Sequence, residues 1–439
     1  MAGVYAGHAG GGFSATALRD MHARLVPLAR QSSPFAEIPK TNERAHWVTP
    51  RVVVEVKFNE WTNDGKLRQP VFLGVRDDKE ARDVGREQRS VQKKSPRKTG
   101  PAAKRPPAAG TVRAAAGADA LQAALAELEE SGGSATVRVG TRQSITVSSL
   151  DKVFFPDAGF TKGDLMRYYA RVATAILPVT RDRPLVLKRF PNGVTGKFFF
   201  QQNAPADAPP AVRVETVVNE EGERQRRFVG GDLATILYTV QLGSISLDPW
   251  HGRVGALEYA DYTILDLDPG PRATFKRVID VARRVRDVMN SFGLHGALKT
   301  SGSRGLHVYL PLPSRTSHET ALLVAQLVAT RVAELHPLEA TIERAVKARK
   351  AGAVYVDYLQ NIRAKTVAAA YAARAKPGAT VSTPLDWSEL ADDLDPGEFT
   401  IETVPERLAR VGDLWAAAMK AKNSPRALIG RAPAKRGRA

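Results

Sequence analysis

Hydrophobic positions follow two rhythms along this chain. Short runs at 184–190 (PLVLKRF), 197–203 (KFFFQQN) and 296–300 (GALKT) have the length and composition of strands. By contrast, 274–292 (TFKRVIDVARRVRDVMNSF) and 321–335 (ALLVAQLVATRVAEL) return apolar residues every three or four positions, as amphipathic helices do. Such alternation predicts a mixed α and β body, residues 136–420, built around one or more sheets. Ahead of it, 46–62 (HWVTPRVVVEVKFNEWT) and 68–78 (RQPVFLGVRDD) read as strands separated by the turn signal Asn63-Asp64-Gly65. A strand-rich unit over 1–88 suits a small barrel. Between the two bodies, 89–135 reads as a linker that carries one helical island, 118–130 (ADALQAALAELEE), and 421–439 reads as a tail. No internal repeat is visible.

Composition sharpens this division. A chain of 439 residues is long enough for two or three domains. It contains no cysteine, which excludes disulfides and Cys-ligated zinc and fits a reducing cytoplasm. No apolar run reaches the roughly 18 residues of a membrane span, and the first residues lack a charged-then-apolar signal, so a soluble cytoplasmic protein with no membrane partner is expected. The net charge is +18. Residues 86–113 hold nine Lys/Arg against one Glu, and 421–439 hold six with no acid, so these two segments carry 14 of the 18 charges. Basic segments rich in Pro and Ala cannot build a core, and they predict disordered arms. Cationic arms bind polyanions by releasing counterions, which makes nucleic acid the favoured partner and a nucleoid association the expectation, with a solubilising linker and tail as the alternative.

Three stretches carry candidate chemistry. In 263–270 (TILDLDPG), Asp266 and Asp268 end an apolar run, and i and i+2 side chains of a strand project to one face. Paired carboxylates suit a hard divalent cation, whereas Asp, Pro and Gly together also suit a plain turn. Next, 298–312 (LKTSGSRGLHVYLPL) sets a Gly-rich loop between two strands. Gly302 and Gly305 allow close backbone approach, and the amides beside Ser301, Ser303, Arg304 and His307 suit phosphate oxygens. The alternative there is a hairpin with an incidental histidine. Neither this loop nor Gly193–Lys197 has the Gly-Lys-Ser/Thr ending of a Walker A loop. Finally, Asp357 lies in a third apolar strand within 353–365 (AVYVDYLQNIRAK). Three strand-borne acids beside a phosphate loop point jointly to two-metal phosphoryl transfer.

The order of these motifs resembles the archaeo-eukaryotic primase superfamily, and most closely the polymerase domain of bacterial DNA ligase D. The resemblance covers about 140–415 and includes LDKVFFPDAGFTKGDLMRYY, LKRFPNGVTGKFFFQQNAP, DLDPG, TSGSRGLHVYLPL, VDYLQN and ARAKPGATVSTPL. It implies an α+β primase-like catalytic domain with mixed and antiparallel sheets. It further implies that Asp266, Asp268 and Asp357 hold two catalytic metal ions, Mn2+ or alternatively Mg2+. Lys188, Ser301, Arg304, His307, Arg349 and Arg374 are implied as contacts to the triphosphate of an incoming NTP or dNTP. Phe199 and Phe200 are implied to stack on bases. Strand alternation predicts that at least one of the two is core, and favours Phe200 as the stacking ring. Lys152 and Lys162 match lysines that hold the 5′-phosphate across a DNA gap. One departure is plain: the family's His-Pro-Trp reads Asp248-Pro249-Trp250-His251 here, which leaves open whether Asp248 adds metal affinity or His251 takes over the contact.

The first 88 residues resemble the C-terminal OB-fold domain of bacterial ATP-dependent DNA ligases, through YAGHAGGGF, LRDMHARLVPL, SPFAEIP and the strand region ending in Arg76-Asp77-Asp78-Lys79. The Lys-x-Asp-Gly signature, whose lysine is adenylated, is absent, so this polypeptide is not expected to seal nicks alone. The implied function is primer extension at gaps and broken ends in non-homologous end joining, with ribonucleotides preferred. Implied partners are DNA with a 5′-phosphate, a Ku-type end-binding protein and a separate ATP-dependent ligase. A non-catalytic DNA-end scaffold and a de novo primase are the alternatives.

If the basic segments bind DNA, deleting 86–113 and 425–439 is expected to weaken binding to a gapped duplex and to flatten its dependence on salt concentration. An unchanged salt slope would make both segments spacers.

Overall fold

A computed structural model describes residues 4–7, 15–35, 45–57, 66–67, 70–75, 81, 118–140, 143–218 and 222–424. The turn signal at 63–65, the 76–79 segment, the basic stretch 86–113 and the tail from 425 lie outside the described residues. The chain divides into two units, residues 1–103 and 104–439.

In the first unit, a helix at Ala15–Leu25 precedes two antiparallel pairs, Ala29–Arg30 with Trp47–Val48 and Val54–Lys57 with Val71–Val75. Trp47–Val48, Val54–Lys57 and Val71–Val75 lie within the runs that the sequence pattern reads as strands, whereas Ala29–Arg30 lies outside them. Phe35 meets Tyr5 and Trp47 edge-on, at 5.5 and 6.1 Å.

The second unit has two hydrophobic cores. The first begins with α1 (Ala118–Ser131). This helix corrects the reading of 118–130 as an island in a linker. Leu121, Leu125 and Leu128 repeat on one helical face and are buried in the core with Val137, Ile145 and Met166. Polar contacts fasten the same helix to α2 (Lys162–Arg171): Gln122 Nε2 donates to the Arg167 carbonyl at 2.9 Å, and Arg167 pairs with Glu129. A capping box at Thr161 and Asp164 starts α2. Against this core lies a small sheet in which β1 (Leu185–Arg189) sits between β2 (Phe199–Gln201) and β3 (Asp248–Pro249).

The main sheet comprises β4 (Tyr262–Pro269), β5 (Ala297–Thr300), β6 (Leu306–Pro311), β7 (Ala340–Thr341), β8 (Val354–Asp357) and β9 (Pro384–Leu385). Its order is β7-β8-β4-β6-β5-β9, antiparallel except for β7 beside β8. Two helices, α3 (Phe275–Ser291) and α4 (His318–Leu335), start at the caps Thr274 and Ser317 and contribute Val278, Val285, Val324 and Val328 to the second core. Leu265, Leu267, Val308 and Val356 from the sheet enter the same core. On β4 the other face carries Tyr262 and Ile264 in the first core, and then Asp266 and Asp268. The acids are therefore placed by a strand wedged between two cores.

Because α1 is a core element, Leu125→Ala is expected to cost about 2–5 kcal/mol in denaturant unfolding. A change within about 0.5 kcal/mol would return the helix to the periphery.

Candidate functional site

Strand β4 continues through both acids to Pro269, so the plain-turn alternative is replaced by strand geometry, with the turn beginning at Gly270. Register then decides the neighbours. Asp266 lies opposite His307 of β6 on one side and opposite Asp357 of β8 on the other, while His307 lies opposite Lys299 of β5. Directly opposed residues have Cβ atoms about 4.5–5.5 Å apart, so Lys299, His307, Asp266 and Asp357 form one row across four strands. Asp268, two residues on, faces Tyr355.

The row is electrostatically uneven. Asp268 keeps an exposed surface, yet protein surrounds its carboxyl closely enough to raise its pKa to about 6, through burial first and then the charges of Asp266 and Asp357. Burial also works against the Asp266 carboxylate, but His307, Lys299 and Arg374 outweigh it and hold the pKa below the ordinary value. His307 itself is pushed down to about 4 by burial and by Lys299, so its ring is neutral near pH 7 and stands beside Asp266 as a polar ring rather than as a cation. Its Nε2 stands 3.3 Å from Asp266 Oδ1, an oxygen that is buried without a well-formed hydrogen bond. Asp357 is braced by Leu359 N at 2.8 Å, Gln360 Nε2 at 2.9 Å and the Tyr355 hydroxyl at 3.3 Å. The Arg349 guanidinium stacks 3.9 Å from the centre of the Tyr355 ring and donates to the carbonyls of Glu343 and Arg344.

The Gly-rich loop joins β5 to β6 beside this row. Ser301 Oγ accepts from the amides of Ser303 and Gly305, both at 3.1 Å, so its hydroxyl shapes the loop. Gly302 has φ +64°, and a Cβ there would come 2.5 Å from Arg374 Cγ; at Gly305 a Cβ would come 2.5 Å from the Leu267 carbonyl oxygen. Both glycines are needed for close approach. Among the described residues, the side chains of Arg304 and Arg374 make no ion pair or hydrogen bond. Cations left unpaired beside a carboxylate cluster are placed to receive an anion.

The small sheet adds a second wall. Asp248 lies opposite Val186, and Lys188 opposite Phe200, which puts Asp248, Lys188 and Phe200 on one face. Asp248 accepts from Ser246 Oγ at 2.8 Å, and its charge reaches Lys299. The expectation that one of the paired phenylalanines is core is corrected: Phe199 and Phe200 are 47 % and 62 % exposed. They belong to an outer strand paired only with β1, so alternation sends them to opposite faces that are both open. Phe199 stacks on Arg189 at 5.0 Å. Phe198, 50 % exposed and missed in the sequence pattern, lies 3.9 Å from Lys188 Nζ and meets Phe200 edge-on. His251 is elsewhere: its ring is buried against Tyr262 with both nitrogens unpartnered, and burial together with Arg183 lowers its pKa to about 3. Tyr262 precedes Asp266 by four strand residues, about 13 Å.

Lys152 and Lys162 form a separate basic spot. The Lys162 amide donates to the Lys152 carbonyl at 2.8 Å, Lys152 Nζ donates to Asn192 Oδ1 at 2.9 Å, and Lys162 Nζ donates to the Ser148 carbonyl. Burial and the Lys152 charge lower the Lys162 pKa to about 8. Its place in the first turn of α2 adds the helix N-terminus to the positive field.

The donor set suits a hard divalent cation: three carboxylates on adjoining strands, one with a buried, unpartnered oxygen. Among the described residues, no three carboxylate, thiol or imidazole side chains already enclose a metal-sized point. Backbone register brings the acids together, and side-chain rotation must complete any coordination. Lys299, Tyr355 and Phe198 join the site beyond the residues predicted from sequence; a lysine inside the apolar run at 296–300 was the one available signal.

Residues 161–415 match the LigD primase-polymerase domain family, and residues 3–79 match the C-terminal region of ATP-dependent DNA ligases. The multifunctional non-homologous end joining protein LigD of Pseudomonas aeruginosa is 32 % identical over 417 residues, covering 94 % of this chain and 46 % of that protein. The protein of the same description from Mycobacterium bovis is 34 % identical over 284 residues, covering 62 % of this chain and 37 % of its own length. This chain thus spans less than half of these relatives. The polymerase domain from Mycobacterium tuberculosis ligase D, solved in complex with DNA, superposes with a TM-score of 0.59 at 32 % identity, covering 64 % of this chain and 99 % of that one.

The raised pKa of Asp268 means that the folded chain binds this proton more tightly than the unfolded chain. Its ionised form therefore costs stability above pH about 6. Asp268→Asn is expected to stabilise the metal-free protein by about 1 kcal/mol at pH 7, the shift being discounted for exposure. The gain should fade as pH falls from about 6 toward 3.8. Unfolding in chelator across this range checks it, and a variant no more stable than wild type at pH 7 would count against carboxylate crowding.

Proposed function

The chain belongs to the LigD primase-polymerase domain family, and from that premise we propose that it extends primers at gaps and broken DNA ends by nucleotidyl transfer, with ribonucleotides preferred. The observation that carries this reading is the convergence of Asp266, Asp268 and Asp357 on adjoining strands beside Arg304 and Arg374, which are unpaired among the described residues. The primer 3′-hydroxyl attacks the α-phosphorus of a nucleoside triphosphate, the bond to the bridging oxygen breaks, pyrophosphate leaves and the hydroxyl proton is released to solvent.

The chain's own residues divide the work. Asp266, Asp268 and Asp357 are the ligands for two divalent ions, manganese by preference, which when bound supply Lewis-acid activation and charge neutralisation. Arg304, Arg349 and Arg374, the loop amides and His307 Nε2 hold the triphosphate, with Lys188 reaching in from the small sheet. Phe200 and its neighbour Phe198 offer ring faces to a base, a sequence-independent contact. The Lys152 and Lys162 spot takes the 5′-phosphate across the gap. Asp248, on the face shared by Lys188 and Phe200, replaces an imidazole with a carboxylate and so adds a negative charge that reaches the buried Lys299. A Ku-type end-binding protein and a separately encoded ligase are the partners that fit this role. No Lys-x-Asp-Gly signature occurs in these 439 residues, so the ligase-like 1–88 unit is not proposed to form a lysyl-AMP by itself.

The test is primer extension on a 5′-phosphorylated gapped duplex with manganese. Ribonucleotides are expected to be added faster than deoxyribonucleotides, and Asp266→Ala and Asp268→Ala each to lower extension at least about a hundredfold with DNA binding retained. Binding without extension by the wild type would favour the scaffold, and synthesis on unprimed single strands would favour a de novo primase.

A further inference from the structure

Lys299 is a lysine with no exposed surface, on β5 in the row that leads to Asp266. Among the described residues its ammonium has no carboxylate partner within ion-pair distance. Instead its Nζ lies 2.7 Å from His307 Nδ1 and 2.5 Å from Ser382 Oγ. A buried amine is costly unless its hydrogen-bonding serves something, and the directions of these bonds are fixed from their far end.

Ser382 Oγ donates its one hydrogen to the Thr300 carbonyl at 2.7 Å. The hydroxyl can therefore meet Lys299 only as an acceptor, and Lys299 must donate to it. The 2.7 Å contact lets His307 Nδ1 accept a second Lys299 hydrogen when the ring proton is on Nε2, the nitrogen that faces the acceptor-only Asp266 carboxylate. An amine has at least two hydrogens whether or not it is protonated, so both donations are available in either charge state. A ring nitrogen that accepts cannot carry the proton, and in a neutral imidazole the proton is then on the other nitrogen. That nitrogen, His307 Nε2, is the one 3.3 Å from Asp266 Oδ1.

We infer that Lys299 is a positioning residue: it makes His307 Nδ1 an acceptor, so that the ring presents an Nε2–H donor to the carboxylate and phosphate side of the site. The chain of donors runs from the Thr300 carbonyl through Ser382 and Lys299 to His307, and ends at the site. Its use in holding a triphosphate rests on the function proposed above, whereas the tautomer itself does not. Without Lys299 the ring is free to place its proton on Nδ1 and present a lone pair to phosphate oxygens, which it would repel.

The experiment is 15N–1H correlation of the histidine side chains in the full-length wild-type protein near pH 7. His307 is assigned among the eight histidines by the signals lost in His307→Gln. The expected pattern is an unprotonated Nδ1 and a protonated Nε2. A ring protonated at Nδ1, or at both nitrogens, overturns the inference, and this spectrum requires neither a variant at 299 nor polymerase activity. In Lys299→Met, should it fold, the pattern is expected to shift toward Nδ1–H and the KM for NTP to rise about tenfold. The same change in a His307→Ala background should add no further loss. An unchanged tautomer in Lys299→Met, or an additive loss in the double variant, would make Lys299 a packing residue only. Wild-type protein that shows the Nε2–H ring but extends no primer would instead sink the polymerase reading and leave the tautomer assignment standing.

Discussion

Like charge held at cross-strand spacing is the constraint around which the second unit is arranged. Asp266 and Asp357 are directly opposed, with Asp268 two residues along the same face. Such an arrangement persists only if something forbids the strands to shift. The second core does so: Leu265 and Leu267 flank Asp266 in sequence and point away from the acids into the α3 and α4 layer. A one-residue slip of β4 would drive both carboxylates into that core, at a cost far above their mutual repulsion. Hydrophobic packing on one face thus holds an unfavourable charge arrangement on the other.

The basic groups around the cluster are graded by distance and by freedom. Lys299 and His307 lie behind it, buried and committed to hydrogen bonds. Arg349 is pinned to Tyr355 and two carbonyls at its edge. Arg304 and Arg374 stand at the glycine loop with no fixed partner among the described residues. The order passes from structural to available charge, which is what a site for a large anion requires: preorganised donors inside and unspent cations at the mouth. Gly302 makes this possible by letting Arg374 cross directly over the loop backbone.

Family membership and geometry meet in this cluster, and a further acid stands on the small sheet. Asp248, beside Pro249 and Trp250, has a carboxylate that reaches the buried Lys299 electrostatically. The first unit matches a ligase C-terminal region in a chain that spans less than half of its multifunctional relatives.

Much of this was legible in the amino-acid sequence because it depends on local periodicity. Strand β4, the two long helices, the glycine loop and the alignment of Asp266 with Asp268 follow from spacing alone, since alternation and helical repeat are properties of neighbouring residues. Other features depend on what lies across the fold. Leu121, Leu125 and Leu128 form an apolar stripe in any reading, but only packing against Val137 and Met166 makes α1 a core helix rather than part of a linker. Phe199 and Phe200 alternate as expected, yet β2 is an outer strand with two open faces, so neither ring is core. The pairing of Asp266 with Asp357, 91 residues apart, and the Lys299–His307–Asp266 row required strand order and register, which no local pattern encodes. Sequence determined which residues can share a face; tertiary structure decided which faces meet, because burial of distant apolar surface selects the register and the charges follow it.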